Sequence, residues 1–368
     1  QGLVENVQIL SSNLVQNGSF SEEGVQEVSN GSFSQEGSEE ITNGDFENGS
    51  TGWALNGWTI SNGKANCNGI TANLIQSNVG GANKNFKLVF TISDYISGVV
   101  RPAFVGLNAE SPDFSGNGTY TAYISSLTDL RFVFYGNLFN GSIDNVSVRE
   151  VGQDWSFTSG ATLTDIGAKI THTPTAGVIT QINSLVIGKN YKFTYEITES
   201  VSGGLKLNSA VDTAMVISVG VHTKYFEADA TSFSIARTSS SNNDVTITNI
   251  SVKEVGQDWD LETGWSIGTD KAISDGSGSV PNTDLVQSSV FTSGNTYKVS
   301  LQIEDYVSGR LELQNNTTDF PQANGTHTIY LVAGGGIAIV LRSRGFIGSI
   351  TNISVIEITD DTNLPRIN

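Results

Sequence analysis

The side chains that most often perform proton transfer or nucleophilic attack are sparse in this sequence. The chain has three histidines, His172, His222 and His327, and a single cysteine, Cys67. None of the histidines belongs to a nucleophile motif, and no two of them have the spacing of a metal-binding pair. The sequence alone does not exclude a pair of carboxylates for glycoside hydrolysis, but the acidic residues occur in turn-like segments. We therefore predict that the protein is not an enzyme.

Aromatic side chains offer a different chemistry, because exposed rings stack on the apolar faces of sugars. Trp53, Tyr95 and Tyr306 are the candidates for glycan contact, and the two tyrosines occur in predicted turns. Three other tryptophans occupy places that we align as equivalent in a long repeat, which favours a core or interdomain anchor: Trp58, Trp155 and Trp265.

That long repeat sets the organisation of the chain. The segment Ser147–Trp155 returns as Ser251–Trp259 with one Arg-to-Lys change, 104 residues later, and a weaker copy follows at Ser354–Ile358. A repeat of this length is a whole domain. Within each copy apolar and polar residues alternate, as over Phe86–Ile92, which is the pattern of a half-buried strand. Glycine is expected to close a turn after this strand, at Asp94–Gly98 in the first copy.

We predict an all-β protein of three tandem β-sandwich, jelly-roll-like domains with an extended N-terminal strand-repeat segment. The 40 glycines and the charged fraction of only 15% agree with many strands and turns. The junctions are short, which predicts a stiff array. The predicted boundaries are an N-terminal extension over 1–40, domain 1 over 41–151, domain 2 over 152–255, domain 3 over 256–358 and a C-terminal tail over 359–368.

The N-terminal extension carries a second, shorter repeat. Asn-Gly-Ser/Asp-Phe recurs every 13 residues, and we call the copies motif 1 (Asn17–Phe20), motif 2 (Asn30–Phe33) and motif 3 (Asn43–Phe46). Motif 3 begins domain 1, so motifs 1 and 2 look like spare copies of its first strand. A spare strand can pair with an open sheet edge of a neighbouring subunit. We therefore predict that four residues mediate assembly into a homopolymer or trimer, the alternative being an unattached acidic leader: Asn17, Phe20, Asn30 and Phe33.

Charge and hydropathy exclude two classes of partner. The net charge of −18 disfavours binding to nucleic acid phosphates. No apolar run is long enough to insert into a membrane. One cysteine allows no intrachain disulfide, so the β cores must supply the stability. Because residue 1 is Gln and not Met, we expect that the start was lost by processing or that the chain is part of a longer one.

Several of these segments together resemble known domains. Asn43–Glu47 followed by Gly52 and Trp53, with Ser142–Val148 closing the unit, resembles the carbohydrate-binding jelly rolls of the CBM4/9 type. The same segments, with the Tyr-Val-Ser-Gly turn, also resemble repeat domains of phage virion and tail-fibre proteins. The tail Asp361–Asn368 is similar to a connector in those proteins. The resemblance covers most of residues 41–368.

The resemblance implies a metal, a location and a function. It implies a calcium ion in domain 1, held by Glu47 and Asp144 with Asp45 nearby, while Thr248 and Thr351 take the place of Asp144 in the other copies. No other cofactor is predicted. The implied location is extracellular or on a virion surface. The implied function is a structural subunit of a fibre or filament whose partners are copies of itself; the alternative is an adhesion module that binds cell-surface glycans.

Overall fold

The computed structural model describes residues 8–107, 111–158, 160–172, 177–210, 214–238, 242–277 and 283–360. Within these ranges every regular element is a β-strand, and the predicted fold class is confirmed. No helix in the described ranges is long and apolar enough to cross a bilayer. The tail resemblance at Asp361–Asn368 lies outside the described residues.

The strands fall into one N-terminal group and three successive groups. The N-terminal strands are β1 (Gln8–Leu10) and β2 (Glu23–Gln26). The first group is β3 (Trp53–Ala54), β4 (Thr59–Ser61), β5 (Lys64–Gln76), β6 (Asn85–Phe104), β7 (Gly118–Ser125) and β8 (Phe132–Val151). The second is β9 (Ser156–Phe157), β10 (Ala161–Thr164), β11 (Gly167–Thr171), β12 (Val178–Gln181), β13 (Asn190–Ser202), β14 (Leu205–Leu207), β15 (Gly220–Glu227), β16 (Phe233–Arg237) and β17 (Asp244–Val255). The third is β18 (Asp260–Leu261), β19 (Trp265–Gly268), β20 (Lys271–Asp275), β21 (Thr283–Gln287), β22 (Thr296–Leu313), β23 (Thr318–Asp319), β24 (Gly325–Val332) and β25 (Ile339–Asp360).

Domain 1 is built on three long antiparallel strands. The hydrogen-bonded order is β3-β5-β8-β6-β7, and β4 pairs with β5. The predicted turn at Asp94–Gly98 is wrong, because β6 continues through this segment and only shifts register against β8. Bulges of this kind bend a strand without ending it. Gly98 has φ +77°, and a Cβ there would lie 2.1 Å from the carbonyl oxygen of Leu138, so only glycine fits this bend.

Domains 2 and 3 repeat this plan with different breaks. In domain 2 the strands form two sheets, ordered β10-β11-β17-β13-β15 and β14-β16-β12-β9. The strand that corresponds to β6 ends at Ser202 and resumes as β14. In domain 3 the corresponding strand β22 runs unbroken over 18 residues, and β6 is likewise unbroken over 20 residues. In each domain the last strand lies between neighbours in the main sheet, so it is the partner of several others.

Each domain has its own hydrophobic core, and each core includes residues from the N-terminal segment. Alternation along β6, β13 and β22 places every second side chain inside, which accounts for the fully buried aromatic residues of these strands. The N-terminal contributors are Val15 and Phe20 in domain 3, Val28 and Phe33 in domain 2, and Ile41 and Phe46 in domain 1. The 13-residue repeat therefore supplies one pair of core residues to each domain.

Candidate functional site: the N-terminal clasp and the domain junctions

The N-terminal segment lies along the three domains in the reverse of their chain order. β1 pairs antiparallel with β25 of domain 3, and β2 pairs antiparallel with β17 of domain 2. Glu39 forms an isolated bridge with Arg149 in the last strand of domain 1. We call residues 8–46, with their three motifs, the clasp. The clasp thus pairs with the last strand of every domain.

An aromatic pair anchors each motif. The motif phenylalanine packs on a tryptophan at ring-centroid distances of 5.5 Å for Phe20–Trp259, 5.2 Å for Phe33–Trp155 and 5.3 Å for Phe46–Trp53. The tryptophan indole N–H donates to the main-chain oxygen of the motif asparagine in all three cases. A buried indole needs such a partner, so the ring and its hydrogen bond together fix the position of the motif.

The glycine of each motif permits the backbones to meet. A Cβ on Gly31 would lie 1.9 Å from the carbonyl oxygen of Ile250, a distance no side chain could accommodate. This closeness lets the Ile250 amide donate to the Gly31 oxygen at 3.0 Å. The corresponding contacts are Gly18 with Ile353 and Gly44 with Val146. Glycine is therefore required for the approach of the two chains at this position.

A glutamine clamps the residue just before each motif. The Gln181 carboxamide oxygen accepts from the Ser29 amide at 2.8 Å, and its Nε2 donates back to the Ser29 oxygen at 3.1 Å. Gln287 does the same for Gln16, and Gln76 does the same for Thr42. These glutamines are buried, so the hydrogen bonds also satisfy side-chain groups that water does not reach.

The asparagine of each motif turns the chain. Asn30 has φ +46°, a left-handed conformation that asparagine tolerates better than most residues. Its carboxamide oxygen accepts from the Gln35 amide at 3.2 Å, and its Nδ2 donates to the Gln153 oxygen at 3.2 Å. Phe33 also has positive φ, at +59°, which is unusual for a bulky residue and is held by its burial against Trp155.

Ion pairs fasten the clasp to domains 1 and 2. The Glu23 carboxylate bridges Lys192 at 2.6 Å and Lys253 at 2.9 Å, and Glu36 binds Lys87 at 2.6 Å. Hydrogen bonding to Lys192, then to Lys253, lowers the pKa of Glu23. In domain 3 the residue 13 positions before Glu23 is Leu10, so the pattern of charges changes at that end.

The four predicted assembly residues all contact domains of their own chain. Asn17, Phe20 and Phe33 are buried, and Asn30 is half-buried, all against domains of their own chain. Docking of motifs 1 and 2 in a neighbouring subunit stays a prediction. Within this chain, domains 2 and 3 each offer these motifs the pocket that motif 3 fills in domain 1. The alternative of an unattached leader is wrong for residues 8–40.

Each domain also contacts the next through a tyrosine of its edge strand. Tyr123 in β7 packs against the core of domain 2, and Tyr225 in β15 packs against the core of domain 3. Burial raises the pKa of the Tyr123 phenol, and nearby Asp165 of domain 2 also raises it. A Cβ on Gly152, the first residue of domain 2, would lie 2.7 Å from the Leu163 side chain, so the chain is tightly packed where domain 1 passes into domain 2.

The alignment of the tryptophans needs correction. Trp155 corresponds to Trp53 and Trp259, since all three receive a motif phenylalanine. Trp58 and Trp265 form another pair, stacked on Phe139 and on Phe346. The exact return of Trp155 as Trp259 in the long repeat was the signal for this pairing. All five indoles are buried, so Trp53 offers no exposed face to a sugar.

Tyr95 and Tyr306 lie at matching bends of β6 and β22. Each ring is half-buried, and each hydroxyl donates to the carbonyl oxygen three residues later, Gly98 or Gly309, at 3.1 Å. Each backbone amide donates to an asparagine side chain. These contacts fix the bend, and glycan contact by the remaining ring surface stays a prediction.

The calcium candidates occupy one end of domain 1. Asp45 and Glu47 are exposed and Asp144 is half-buried. In domains 2 and 3 the hydroxyls of Thr248 and Thr351 donate to motif carbonyl oxygens, and an ionised Asp144 cannot make that bond. No group of three or more His, Cys, Asp or Glu positioned for a metal occurs among the described residues. The carboxylates and carbonyls present fit a hard cation, and the calcium ion stays a prediction.

Two of the three histidines have main-chain partners, whereas His172 Nδ1 is buried without one among the described residues. His222 Nε2 lies 2.6 Å from the Ser218 oxygen, and His327 Nε2 lies 2.8 Å from the Ala323 oxygen. These positions match across domains 2 and 3, at strand starts where domain 1 has Tyr120.

Comparison with known proteins finds likeness of fold only. No protein-family model matches the chain, and no curated protein matches it significantly. A tandem pair of CBM22 domains from Paenibacillus barcinonensis Xyn10C shares 9% identity, covering 60% of this chain and 99% of that one, with a TM-score of 0.25. A chain of Sulfolobus Turreted Icosahedral Virus shares 11% identity, covering 82% and 88%, with a TM-score of 0.23. A triple jelly roll chain of an archaeal virus turret shares 10%, covering 82% and 87%, with a TM-score of 0.18. Such low TM-scores carry no argument about function.

Proposed function

We propose that the chain is a non-enzymatic structural subunit of an extracellular fibre or filament, at a virion or cell surface. The observation that carries this proposal is the clasp, which closes three successive domains in reverse order. One continuous segment therefore holds the domains together without disulfides. Such a design serves a protein whose role is to keep domains in a fixed series, and the repeated tyrosine junctions serve the same end.

We further infer that strand addition between subunits proceeds by exchange of the clasp. The three pockets offer the same glutamine, tryptophan and backbone contacts, so motif 2 of one chain fits domain 2 of another as well as its own. An exchanged segment makes the same contacts as before, which keeps the free-energy difference between the closed and exchanged forms small. The contact is heterologous and can propagate.

Cysteine trapping separates the closed from the exchanged form. Gln26 lies opposite Lys253, and the Glu27 amide donates to the Val252 oxygen, so the pair sits at a non-hydrogen-bonded position. Side chains approach closely there, which suits a disulfide. The double variant Gln26→Cys, Lys253→Cys is oxidised and run on a non-reducing gel. A faster-migrating monomer reports a closed clasp, and a ladder of covalent multimers reports exchange.

The control is the single variant Gln26→Cys, which has no partner thiol in the pocket. The native Cys67 is buried and should not react in either variant. Negative-stain microscopy and light scattering of the unmodified chain test the function itself. Rods or filaments support a fibre subunit; a monomer at all concentrations contradicts it. Assembly with only monomeric cross-links would reject exchange while leaving the function intact.

A further inference from the structure

A tyrosine like those of the two junctions occurs at a third place, where no other domain among the described residues covers it. Tyr123, Tyr225 and Tyr330 each occupy the sixth position of an eight-residue edge strand, opposite Lys87, Lys192 and Lys298 respectively. The first two tyrosines pack against the following domain. Tyr330 is 63% exposed, and so is Val332 beside it. We call the surface that carries this tyrosine and the lysine opposite it the back face of each domain.

The charges of the back face change between the internal junctions and domain 3. In domain 1 Glu36 neutralises Lys87, and in domain 2 Glu23 neutralises Lys192. In domain 3 the clasp residue at the same repeat position is Leu10, which is 55% exposed. Lys298 forms no salt bridge with any residue that the structure describes. Among the described residues, the back face of domain 3 therefore combines exposed apolar side chains with a lysine that has no acidic partner.

The surface that meets a back face at the first internal junction carries hydroxyl side chains and two carboxylates, Asp165 and Glu196. In domain 2 Ser32, Ser34 and Thr248 line the same cleft as Lys87 and Tyr123 of domain 1. The 13-residue repeat and the third copy of the long repeat, 103 residues further on, place three corresponding residues in domain 3: Ser19, Ser21 and Thr351. We call the surface that carries these three positions the front face of each domain.

The front face of domain 1 meets no other domain among the described residues, and it is acidic. Asp45, Glu47 and Asp144 stand where domain 2 has Ser32, Ser34 and Thr248. The first hairpin of each domain (β4–β5, β10–β11 and β19–β20) carries an apolar residue whose burial also differs. Leu163 and Ile267 are buried at the internal junctions, whereas the corresponding Ile60 is only partly buried. Domain 1 thus presents an apolar spot beside three carboxylates.

We propose that the back face of domain 3 binds the front face of domain 1 of a second copy of this chain. Two observations support this occupant: the contact continues the geometry of the internal junctions, and Lys298 complements the acidic front face. The contact is heterologous and repeats without closing, so it elongates an assembly end to end. The proposal rests on the proposed function, since it supplies the longitudinal contact of the fibre.

A charge-swap experiment on the full chain tests this contact, with EDTA present so that metal binding does not contribute. Lys298→Glu and Glu47→Lys are made as separate variants, and assembly is followed by light scattering and negative stain. Each variant alone places like charges across the contact, and we expect its apparent dissociation constant to rise at least ~10-fold. In an equimolar mixture the two variants can alternate. One contact then joins the two substituted residues, which have opposite charges, and the next joins native Lys298 to native Glu47, so assembly should return.

Two further variants keep the result interpretable. Tyr330→Glu should also block assembly, whereas Val307→Glu, on a residue 69% exposed at the bend of β22, should not. Circular dichroism and thermal unfolding show whether each variant is folded. Unimpaired assembly of Lys298→Glu and Tyr330→Glu, or a mixture that fails to recover, overturns the contact but not the fibre function. A wild-type chain that stays monomeric instead overturns the function itself.

Discussion

The ring of Phe20 packs 5.5 Å from that of Trp259, so the first and the last third of the chain share one core. The same relation joins Phe33 to Trp155 and Phe46 to Trp53. The clasp is therefore part of the fold of each domain and cannot be treated as an appendage. Its consequences for stability, pH dependence and ligand binding can be tested separately.

Truncation of a motif phenylalanine should weaken one chosen domain. Phe20→Ala is expected to lower the free energy of unfolding of domain 3 by about 3–5 kcal/mol, because it empties a buried aromatic site. Hydrogen exchange measured by mass spectrometry should show faster exchange in β22 and β25, with domain 1 unchanged. Phe33→Ala should act on domain 2 in the same way, and Ser34→Ala, at an exposed position, serves as the control. Faster exchange confined to domain 1 after Phe20→Ala would contradict the reversed order.

A single methyl group should prevent motif 2 from docking. Gly31→Ala places a Cβ against the Ile250 carbonyl oxygen, 1.9 Å away, and the main chain on both sides is fixed by hydrogen bonds. We expect the segment around Glu23–Gln26 to become sensitive to limited proteolysis. Ser32→Ala, one residue further on, should leave it resistant. Equal resistance in both variants would show that the close approach at Gly31 is not needed.

The ion pairs of Glu23 predict a weaker clasp in acid. Lys192 and Lys253 lower the pKa of Glu23 in the folded state, so its contribution is present above the unfolded pKa of about 4.3. It is lost as the pH falls through the lower folded value. Protease resistance of the clasp at domain 2 should therefore fall in acid, more steeply than in Glu23→Gln. Parallel pH profiles for both proteins would remove Glu23 as the cause.

The calcium prediction concerns domain 1 alone. Addition of calcium should raise the midpoint of thermal unfolding of the wild-type chain, because a ligand that binds only the folded state stabilises it. Glu47→Gln should abolish the increase, and Ser34→Ala, at the corresponding position of domain 2, should keep it. An unchanged midpoint in the wild type, with no heat of binding by calorimetry, would exclude the site.

Glycan binding is tested most directly on an array. Tyr95 and Tyr306 are the remaining aromatic candidates, since Trp53 is buried. If the alternative function holds, the wild-type chain gives a signal that Tyr95→Ala or Tyr306→Ala reduces by about tenfold or more, the loss expected from one stacked ring of about 1.5 kcal/mol. Tyr→Phe at either position should keep the signal, since the ring remains. A blank array for the wild type would count against the adhesion role.

The sequence predicted the strands well because their signal is local. Alternation over Phe86–Ile92 marks β6, and the long repeat marks the plan of the domains. The sequence predicts a turn at Gly98, where the structure has a bend within β6. A bulge and a turn use the same glycine and differ only in whether pairing with β8 continues. That pairing is a long-range property and leaves no local signal.

The clasp was predicted only in part, for a different reason. The motifs and their spacing were visible, and so was the suitability of a spare strand for pairing. Whether Phe33 docks in its own chain or in another depends on connectivity, and the contacts are identical in both cases. The agreement in number, three motifs for three domains, was the available signal for docking within the chain. The return of Trp155 as Trp259 pointed to the matching pockets.

The pairing of Gln8 with Asp360 has a mechanical consequence. The described chain therefore begins and ends at paired positions on domain 3, and domain 1 holds the opposite end of the clasp. Tension applied through these two points would peel β1 away from β25 one rung at a time, as a zipper opens. Domain 2, and then domain 1, would bear the load only after the clasp had separated from the domain before it.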